Sequence, residues 1–350
     1  MAESAGFRHA SGRPSIRSEV LTAPQDLDTE NPTLLPPGGT NAIGQTLGLL
    51  GDEWSLLIIR HALTGSTRYA QFLSQLTISN AVLTHRLRTL VAGGLLARRL
   101  HPTARARTEY LLTPRSKSLW AVMFAMWAWE RDWVAEHLDP LPEMRHVSCG
   151  QNVTPMLKCR ACDEVVAECD VTMQLGPSGA WHRSSPAAST RRRADHTPEL
   201  YPEMMSVFGN RWAAALLVSC FLGTTRFTDF QTQLGAPPSS LTEHLQTFCA
   251  IGVLAATPKA APPGDEWGLP RLEYVLTEKG RAYFPVLYEV INWAQHWFRS
   301  PEGPAMILTH THRGCGASFS GEMVCDHCLG PVQAGVTWHH GVLLAPNPMA

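Results

Sequence analysis

The sequence predicts a mainly α-helical fold with small β-wings (α+β): two winged helix-turn-helix domains, each with a small metal-binding-type module of three cysteines and one histidine. Three observations lead to this prediction. A helix-turn-helix pattern followed by a hairpin spans residues 67–113, a weaker version recurs at 225–277, and a similar Cys/His spacing follows each copy. Recurrence of whole patterns in one order indicates duplicated domains.

The first copy contains the pattern of a recognition helix from Asn80 to Gly93. Ser79 can cap the helix through its hydroxyl, and glycine is the usual residue at a helix end. One face is apolar at helical spacing, with Leu83, Leu87 and Leu90. The opposite face is polar and basic. A short helix precedes it, so this arrangement is typical of a helix that enters the major groove.

The wing of the first copy is locally basic in a chain with 29 basic and 30 acidic side chains. The segment 97–113 carries four arginines against one acid, Glu109. In such domains the recognition helix contacts bases while the wing and flanking groups hold phosphates. The predicted DNA-binding residues are Arg68, Asn80, Thr84, His85, Arg86, Arg88, Arg98, Arg99, Arg105 and Arg107. For Arg68 an internal structural role is an equal alternative, because Arg226 recurs at its position.

The two copies align at fixed offsets. Trp54 corresponds to Trp212, 158 residues later, and Trp129 to Trp293, 164 residues later, so the second wing is six residues longer. The second copy has Glu243 and Gln246 on its helix face, and its wing (255–277) has Lys259 and Arg271 against Asp265, Glu266 and Glu273. Acidic side chains repel phosphates. We therefore predict that the first domain binds double-stranded DNA, while the second binds weakly or acts as an internal dimer partner.

Cysteine and histidine recur at matching spacing after each copy. Two cysteines with two residues between them form a knuckle, and zinc prefers four tetrahedral Cys and His ligands. The predicted ligands are His146, Cys149, Cys159 and Cys162 for one structural zinc and His312, Cys315, Cys325 and Cys328 for a second. Cys169, His310 and His327 are further candidates. Metal-free thiols and a redox-active cysteine pair are the alternatives. A catalytic zinc is not expected, because four protein ligands leave no open position.

Composition gives the domain boundaries and the compartment. We expect a disordered arm (1–39), the first winged domain (40–140), its Cys-rich module (141–176), a linker (177–197), the second winged domain (198–303), its module (304–340) and a tail (341–350). No signal peptide is expected, and the most apolar stretch, Leu119 to Trp129, is too short to cross a bilayer, which takes about 20 residues. A cytoplasmic protein without membrane contact is therefore expected.

These elements together resemble the HxlR-type family of bacterial winged-helix transcription regulators. The resemblance rests on ordered motifs in both copies: Gly65-x2-Arg68-Tyr69-x2-Phe72, Leu83-Thr84-x2-Leu87, Gly94-Leu95-Leu96-x-Arg98 and Tyr110-x-Leu112-Thr113, with Gly223-x2-Arg226-Phe227-x2-Phe230, Leu241-Thr242-x2-Leu245 and Tyr274-x-Leu276-Thr277. It implies a DNA-binding repressor or activator that pairs through its first and last helices. Ser116 departs from the family pattern, which has glycine there, and no cysteine precedes Cys149.

Two other classes of function are alternatives to a DNA-binding regulator. A fused pair of winged helices with zinc knuckles could serve as a protein-interaction module, since a fold does not fix a function. An enzyme is disfavoured, because we find no arrangement of Ser, His and Asp, no glycine-rich phosphate loop and no recurring paired carboxylates. If the two domains pair within one chain, they would imitate a two-fold dimer, and a homodimer of whole chains is the other possibility.

Overall fold

The computed structural model describes residues 31–100, 108–135, 141, 143–184, 201–209, 211–259, 271–332 and 336–338. The helices are α1 (Ala42–Leu50), α2 (Glu53–Leu63), α3 (Tyr69–Gln75), α4 (Asn80–Ala92), α5 (Pro114–Lys117), α6 (Trp120–Trp133), α7 (Trp181–Ser184), α8 (Pro202–Phe208), α9 (Arg211–Phe221), α10 (Phe227–Leu234), α11 (Pro238–Ala250), α12 (Glu278–Arg281) and α13 (Phe284–Trp297). The strands are β1 (Thr33–Leu34), β2 (Leu96–Leu100), β3 (Thr108–Leu112), β4 (Met144–His146), β5 (Pro155–Cys159), β6 (Val165–Val166), β7 (Val171–Leu175), β8 (Leu254–Lys259), β9 (Arg271–Leu276), β10 (Phe298–Arg299), β11 (Met306–His310), β12 (Gly321–Cys325) and β13 (Val336–Trp338).

Helix α4 has the predicted start and apolar face. The Ser79 hydroxyl accepts a hydrogen bond from the backbone N–H of Val82 at 3.3 Å, which satisfies one of the unpaired amides of the first turn. Leu83, Leu87 and Leu90 are buried in the core. The chain leaves the helix through Gly94, whose positive φ of 71° is the conformation that glycine adopts most easily.

Each winged domain ends in a two-stranded antiparallel hairpin. In the first, Leu96 pairs with Leu112 at the base, and in the second, Leu254 pairs with Leu276. The segments joining the strands, 101–107 and 260–270, lie outside the described residues. The bases of the two hairpins therefore correspond at the offsets seen in the sequence.

The two halves contact each other through their long last helices, α6 and α13. The indole N–H of Trp129 donates to the Lys279 carbonyl at 3.1 Å, and the indole N–H of Trp293 donates to the Arg115 carbonyl at 3.0 Å. The two donors are 164 residues apart, and so are the two acceptors, so the bonds are related by an approximate two-fold axis. In addition, α1 packs on α13, and α8 packs on α6.

The Cys-rich segments after the two winged domains, here called the crossed segments, pair with each other between the two halves. Strand β5 pairs antiparallel with β12, and Leu157 lies opposite Met323, its own counterpart at an offset of 166. Likewise β7 pairs with β11, and β4 pairs with β13. The segments 141–176 and 304–340, predicted to be separate modules, are therefore joined in shared antiparallel sheets. Spacing along the chain cannot reveal this arrangement, because it consists of pairings between distant segments.

Two other expectations differ from the structure. Within the predicted disordered arm, Thr33 and Leu34 form β1 beside β10, and Leu35 is buried. Within the predicted linker, Trp181–Ser184 form α7, while 185–200 lie outside the described part. The long last helix begins at Trp120 after the separate turn α5. In the described residues no single helix is long and apolar enough to cross a membrane; only the pair 202–208 and 212–221, bent by 84°, reaches that length together.

Candidate nucleic-acid interface and metal centres

The outward face of α4 carries most of the predicted base-reading side chains. Asn80, His85 and Arg88 are exposed, and Thr84 is half-buried. The Tyr69 hydroxyl, from α3, donates to Asn80 Oδ1 at 2.9 Å and lies 3.3 Å from Thr84 Oγ1. These contacts hold the start of α4 against α3 and fix the position of the polar face.

Arg86 does not belong to this face. It is only 8% exposed, and its Nε lies 3.2 Å from Asp52 Oδ1, at the N-terminal cap of α2. Arg86 was predicted to contact DNA, but in the structure its guanidinium is buried and paired inside the domain, away from the exposed face of α4. His244 occupies the same position in the second copy, is also buried, and has a pKa lowered by that burial.

Arg68 and Arg99 both pair with Glu109, the one acid of the first wing. Arg68 Nε lies 3.7 Å from Glu109 Oε1, and Arg99 Nη2 lies 2.7 Å from Oε2. The second copy repeats this arrangement, with Arg226 and Lys259 on Glu273 at 3.3 Å and 3.0 Å. Hydrogen bonds from Lys259 and Arg226 lower the pKa of Glu273. The recurrence in both copies supports a structural role for Arg68, which ties the start of α3 to the wing.

Of the remaining residues predicted to contact DNA from the wing, the structure describes one and not the other two. Arg98 is exposed on β2, whereas Arg105 and Arg107 lie in the segment outside the described residues. One residue that the sequence analysis missed is Val82, which is 36% exposed on the outward face of α4. The apolar stripe at Leu83, Leu87 and Leu90 could have revealed it, since that stripe leaves position 82 on the other side.

The corresponding face of the second domain has a different character. Thr242, Glu243 and Gln246 are exposed on α11. Pro237 stands at the cap position and provides no side-chain hydrogen bond. The acidic positions Asp265 and Glu266, predicted for this wing, lie outside the described residues, as does the side chain of Arg271.

Two compact clusters of cysteine and histidine side chains lie among the crossed segments. One contains His146, Cys149, Cys325 and Cys328. The other contains Cys159, Cys162, His310 and Cys315. In each cluster the possible ligand atoms all lie within 4.8 Å of one another, and each half of the chain supplies two of the four.

The distances between the possible ligand atoms fit tetrahedral coordination of one metal ion. Cys149 Sγ lies 3.4 Å from His146 Nδ1 and 3.8 Å from Cys325 Sγ, while Cys328 Sγ lies 3.2 Å from the same nitrogen. Zinc bonds of ~2.3 Å to sulfur and ~2.0 Å to nitrogen place two sulfurs about 3.8 Å apart and a sulfur and a nitrogen about 3.5 Å apart. The residues present therefore fit a zinc ion, and the cysteines are not in disulfides.

The electrostatics of Cys159 also suit a ligand. Burial acts to raise the pKa of its thiol, but the backbone N–H groups of Ala161 and Cys162 and the thiols of Cys162 and Cys315 act against it. The net result is a lowered pKa. A thiol must lose its proton before it binds a metal, so this environment favours coordination by Cys159, whereas the pKa of the neighbouring Cys162 thiol is raised.

The structure groups the candidate ligands differently from the sequence prediction in two respects. Each cluster draws on both halves, whereas the prediction kept all four ligands of a site in one half. His312 lies outside both clusters, with its Nδ1 3.1 Å from Asp170 Oδ1, and His310 takes the predicted place. His310 lies 164 residues after His146, which is the offset of the last helices, so the alignment of α6 with α13 could have identified it.

Comparison with known proteins identifies the family. Two segments, residues 49–138 and 207–302, match the family described as HxlR-like helix-turn-helix, and together they make up more than half of the chain. The chain belongs to the HxlR-like helix-turn-helix family. The double match confirms that the helix-turn-helix unit is repeated.

Relatives within this HxlR-like family are named as regulators. An HTH-type transcriptional regulator of Mycobacterium tuberculosis, itself uncharacterised, is 34% identical over 136 residues, which cover 39% of this chain and 86% of the relative. A similarly named protein of Synechocystis is 35% identical over 95 residues, which cover 27% of this chain and 70% of the relative. The crystal structure of PA1607, a candidate transcription factor, is 29% identical over 40% of this chain and 89% of that chain, with a TM-score of 0.31.

Proposed function

We propose that this protein is a sequence-specific, DNA-binding transcriptional regulator in which the first domain does most of the reading. Membership of the HxlR-like family and the names of its relatives support the general function. The observation that carries the division between domains is the contrast between two equivalent faces. Asn80, His85 and Arg88 are exposed on α4, whereas Glu243 and Gln246 are exposed on α11.

The exposed side chains of α4 suit the edges of base pairs. An amide such as Asn80 can bond adenine, and a guanidinium such as Arg88 can bond guanine or a phosphate. Val82 offers an apolar contact for a thymine methyl group. Arg98 on the wing, together with Arg105 and Arg107, would hold the phosphate backbone, and Arg68 and Arg99 would add positive charge beside it.

The second domain would serve as the fixed partner of the first. The contacts between α6 and α13 support this role, because they repeat under an approximate two-fold axis. In a paired arrangement the two recognition helices would lie about 34–36 Å apart and face successive turns of the duplex. One chain would then act as a dimer on an asymmetric operator, and a homodimer of whole chains is the alternative.

Each Cys/His cluster would hold one structural zinc ion. Three thiolates and one imidazole complete a tetrahedral set and leave no position for substrate. The ion would supply folding energy to a small module with little core of its own. Total metal analysis of the purified protein should find about two zinc ions per chain.

A DNA titration tests the division of labour. Operator DNA is first selected from a random pool, and binding is then measured by fluorescence anisotropy at several salt concentrations. Combining His85→Ala with Arg88→Ala should weaken binding by at least about tenfold, because it removes base contacts that are each worth ~1–3 kcal/mol. Arg98→Ala should lower the salt slope by about 0.9, which corresponds to one lost phosphate contact.

The matched control changes the equivalent face of the second domain. Combining Gln246→Ala with Lys259→Ala should alter affinity by less than about threefold, since each base or phosphate contact there is expected to be weak. A reversed result, with binding lost only in this variant, would refute the proposed division. Absence of selected sequences at low salt would instead favour a protein-interaction module built from paired winged helices.

A further inference from the structure

The two Cys/His clusters lie at opposite ends of the antiparallel pairing of β5, in the first half, with β12, in the second. This strand pairing is called the ladder below. In the pairing of β5 with β12, Cys325 stands opposite Pro155 at one end, and Cys159 stands opposite Gly321 at the other. Cys325 belongs to the first cluster and Cys159 to the second. Each end of the ladder therefore coincides with a set of four ligands, two from each half.

This ladder is too short to be stable by itself. It pairs five residues with five, and only β6 extends it, with two residues. Small sheets of this size are marginal in water without a core or another constraint. A structural zinc ion contributes its binding free energy to folding, so it can stabilise strands that are too short to be stable alone.

The crossed segments also contact the last helices of both domains. Arg131 on α6 donates from Nη1 to the Val153 carbonyl at 2.9 Å. The Tyr288 hydroxyl on α13 accepts from the N–H of Gly321 at 2.5 Å. The crossed segments are therefore in direct contact with the two helices through which the winged domains pair.

We infer that two thiophilic divalent cations, each bound by ligands from both halves, clamp the halves together, and that occupancy of the clamp controls how DNA is bound. With both ions present, the ladder is closed and the winged domains are held in one arrangement. Without them the ladder opens, while the contacts between α6 and α13 keep the halves associated but no longer in one fixed arrangement. The effect on DNA depends on the proposed function, but the metal clamp itself does not.

Metal counting with paired substitutions tests the shared sites. Cys149→Ser with Cys325→Ser alters one cluster only, so one ion should remain after dialysis against a weak chelator. Cys149→Ser with Cys159→Ser alters both clusters, so both ions should be lost. If each half held its own ion, the two results would be exchanged, and that exchange would overturn the inference.

Two single histidine variants test the same ligand assignment in case the double cysteine variants do not fold. His310→Ala should lose one ion, whereas His312→Ala should keep two, because only His310 lies in a cluster. The opposite outcome would refute the assignment of ligands. Both variants retain every cysteine, so thiol chemistry is unchanged.

Hydrogen exchange shows whether metal closes the ladder. Adding a strong chelator to the zinc-loaded full chain should abolish protection of amides in β5 and β12 while leaving α6 and α13 protected. Cys325→Ser, in the second half, should also speed exchange around the turn of His146 and Cys149 in the first. Unchanged protection of both strands after the metal is removed would contradict the clamp.

DNA binding separates failure of the clamp from failure of the proposed function. Removal of zinc should weaken binding to DNA with two half-sites by about threefold, because the weak contacts of the second domain lose their effective concentration, and should leave binding to one half-site unchanged. Equal affinities with and without metal would refute control by the clamp. If the zinc-loaded protein bound neither the two-site nor the one-site DNA, the proposed function would be refuted. The metal content of the variants would still test whether the two halves share the metal sites.

Discussion

At the scale of single residues, Glu130 shows how closely the two halves depend on each other. It lies on α6 in the first half, is buried, and accepts a hydrogen bond from the backbone N–H of Met204 on α8 at 3.1 Å. Burial raises its pKa to about 7, although the N–H groups of Met204 and Glu203 act in the other direction. A carboxyl group at this boundary therefore titrates near neutral pH.

The raised pKa predicts that stability falls as the pH rises. The folded protein keeps the proton on Glu130 up to about pH 7, whereas an unfolded chain releases it near pH ~4.3. The free energy of unfolding should therefore decrease between these pH values and then level off. Glu130→Gln should be more stable than the natural protein by about 2 kcal/mol at pH 8, but not at pH 4.5. Urea unfolding at both pH values measures this, with Glu243→Gln, on an exposed face, as control; equal effects at the two pH values would contradict it.

Arg115 provides a second prediction at this scale. Its guanidinium is buried, donates to Thr33 Oγ1 at 2.9 Å, and lies 5.3 Å from the Trp297 ring of the other half. Lys279 is its counterpart and lies 5.3 Å from the Trp129 ring, with a more accessible side chain. Arg115→Ala should lower the free energy of unfolding by about 3 kcal/mol, because buried acceptors lose their donor. Lys279→Ala should lower the free energy of unfolding by only about 1 kcal/mol. Urea unfolding measures both variants, and an equal or larger loss in Lys279→Ala would contradict the prediction.

At the scale of elements, local patterns in the sequence predict what neighbours along the chain determine. The spacing of Leu83, Leu87 and Leu90 gives both the extent of α4 and its buried face, and the Ser79 cap lies where it is expected. The burial of Arg86 could not be predicted this way, because it depends on Asp52 at the start of another helix. The grouping of ligands was missed for the same reason, since it is set by the long-range pairing of β5 with β12.

The cap of α4 allows a direct test at the element scale. Ser79→Ala should destabilise the first domain by about 1 kcal/mol, because the Val82 amide loses its acceptor. Hydrogen exchange in the first turn of α4 should increase, while exchange in α11, whose Pro237 cap makes no side-chain bond, should not change. An equal effect on both helices would mean that the substitution acts through general stability and not through the cap.

At the scale of the whole molecule, the two halves share a framework and differ on their surfaces. The contacts across α6 and α13 keep the symmetry of a dimer. The outward faces of α4 and α11 have lost it, because one is basic and the other contains Glu243. Duplication within one chain permits this divergence, since each copy of a fused pair can change without altering its partner.

This asymmetry predicts the form of the operator. One chain should occupy one operator, and the footprint should cover two adjacent half-sites about one helical turn apart. Base changes in the half-site read by α4 should each cost ~1–3 kcal/mol, and changes in the other half-site should cost clearly less. Mass photometry of the complex gives the number of chains, and affinity measurements on operators altered in one half-site give the cost. Two chains on a palindromic site, with equal costs in both halves, would show instead that whole chains form a homodimer through their first domains.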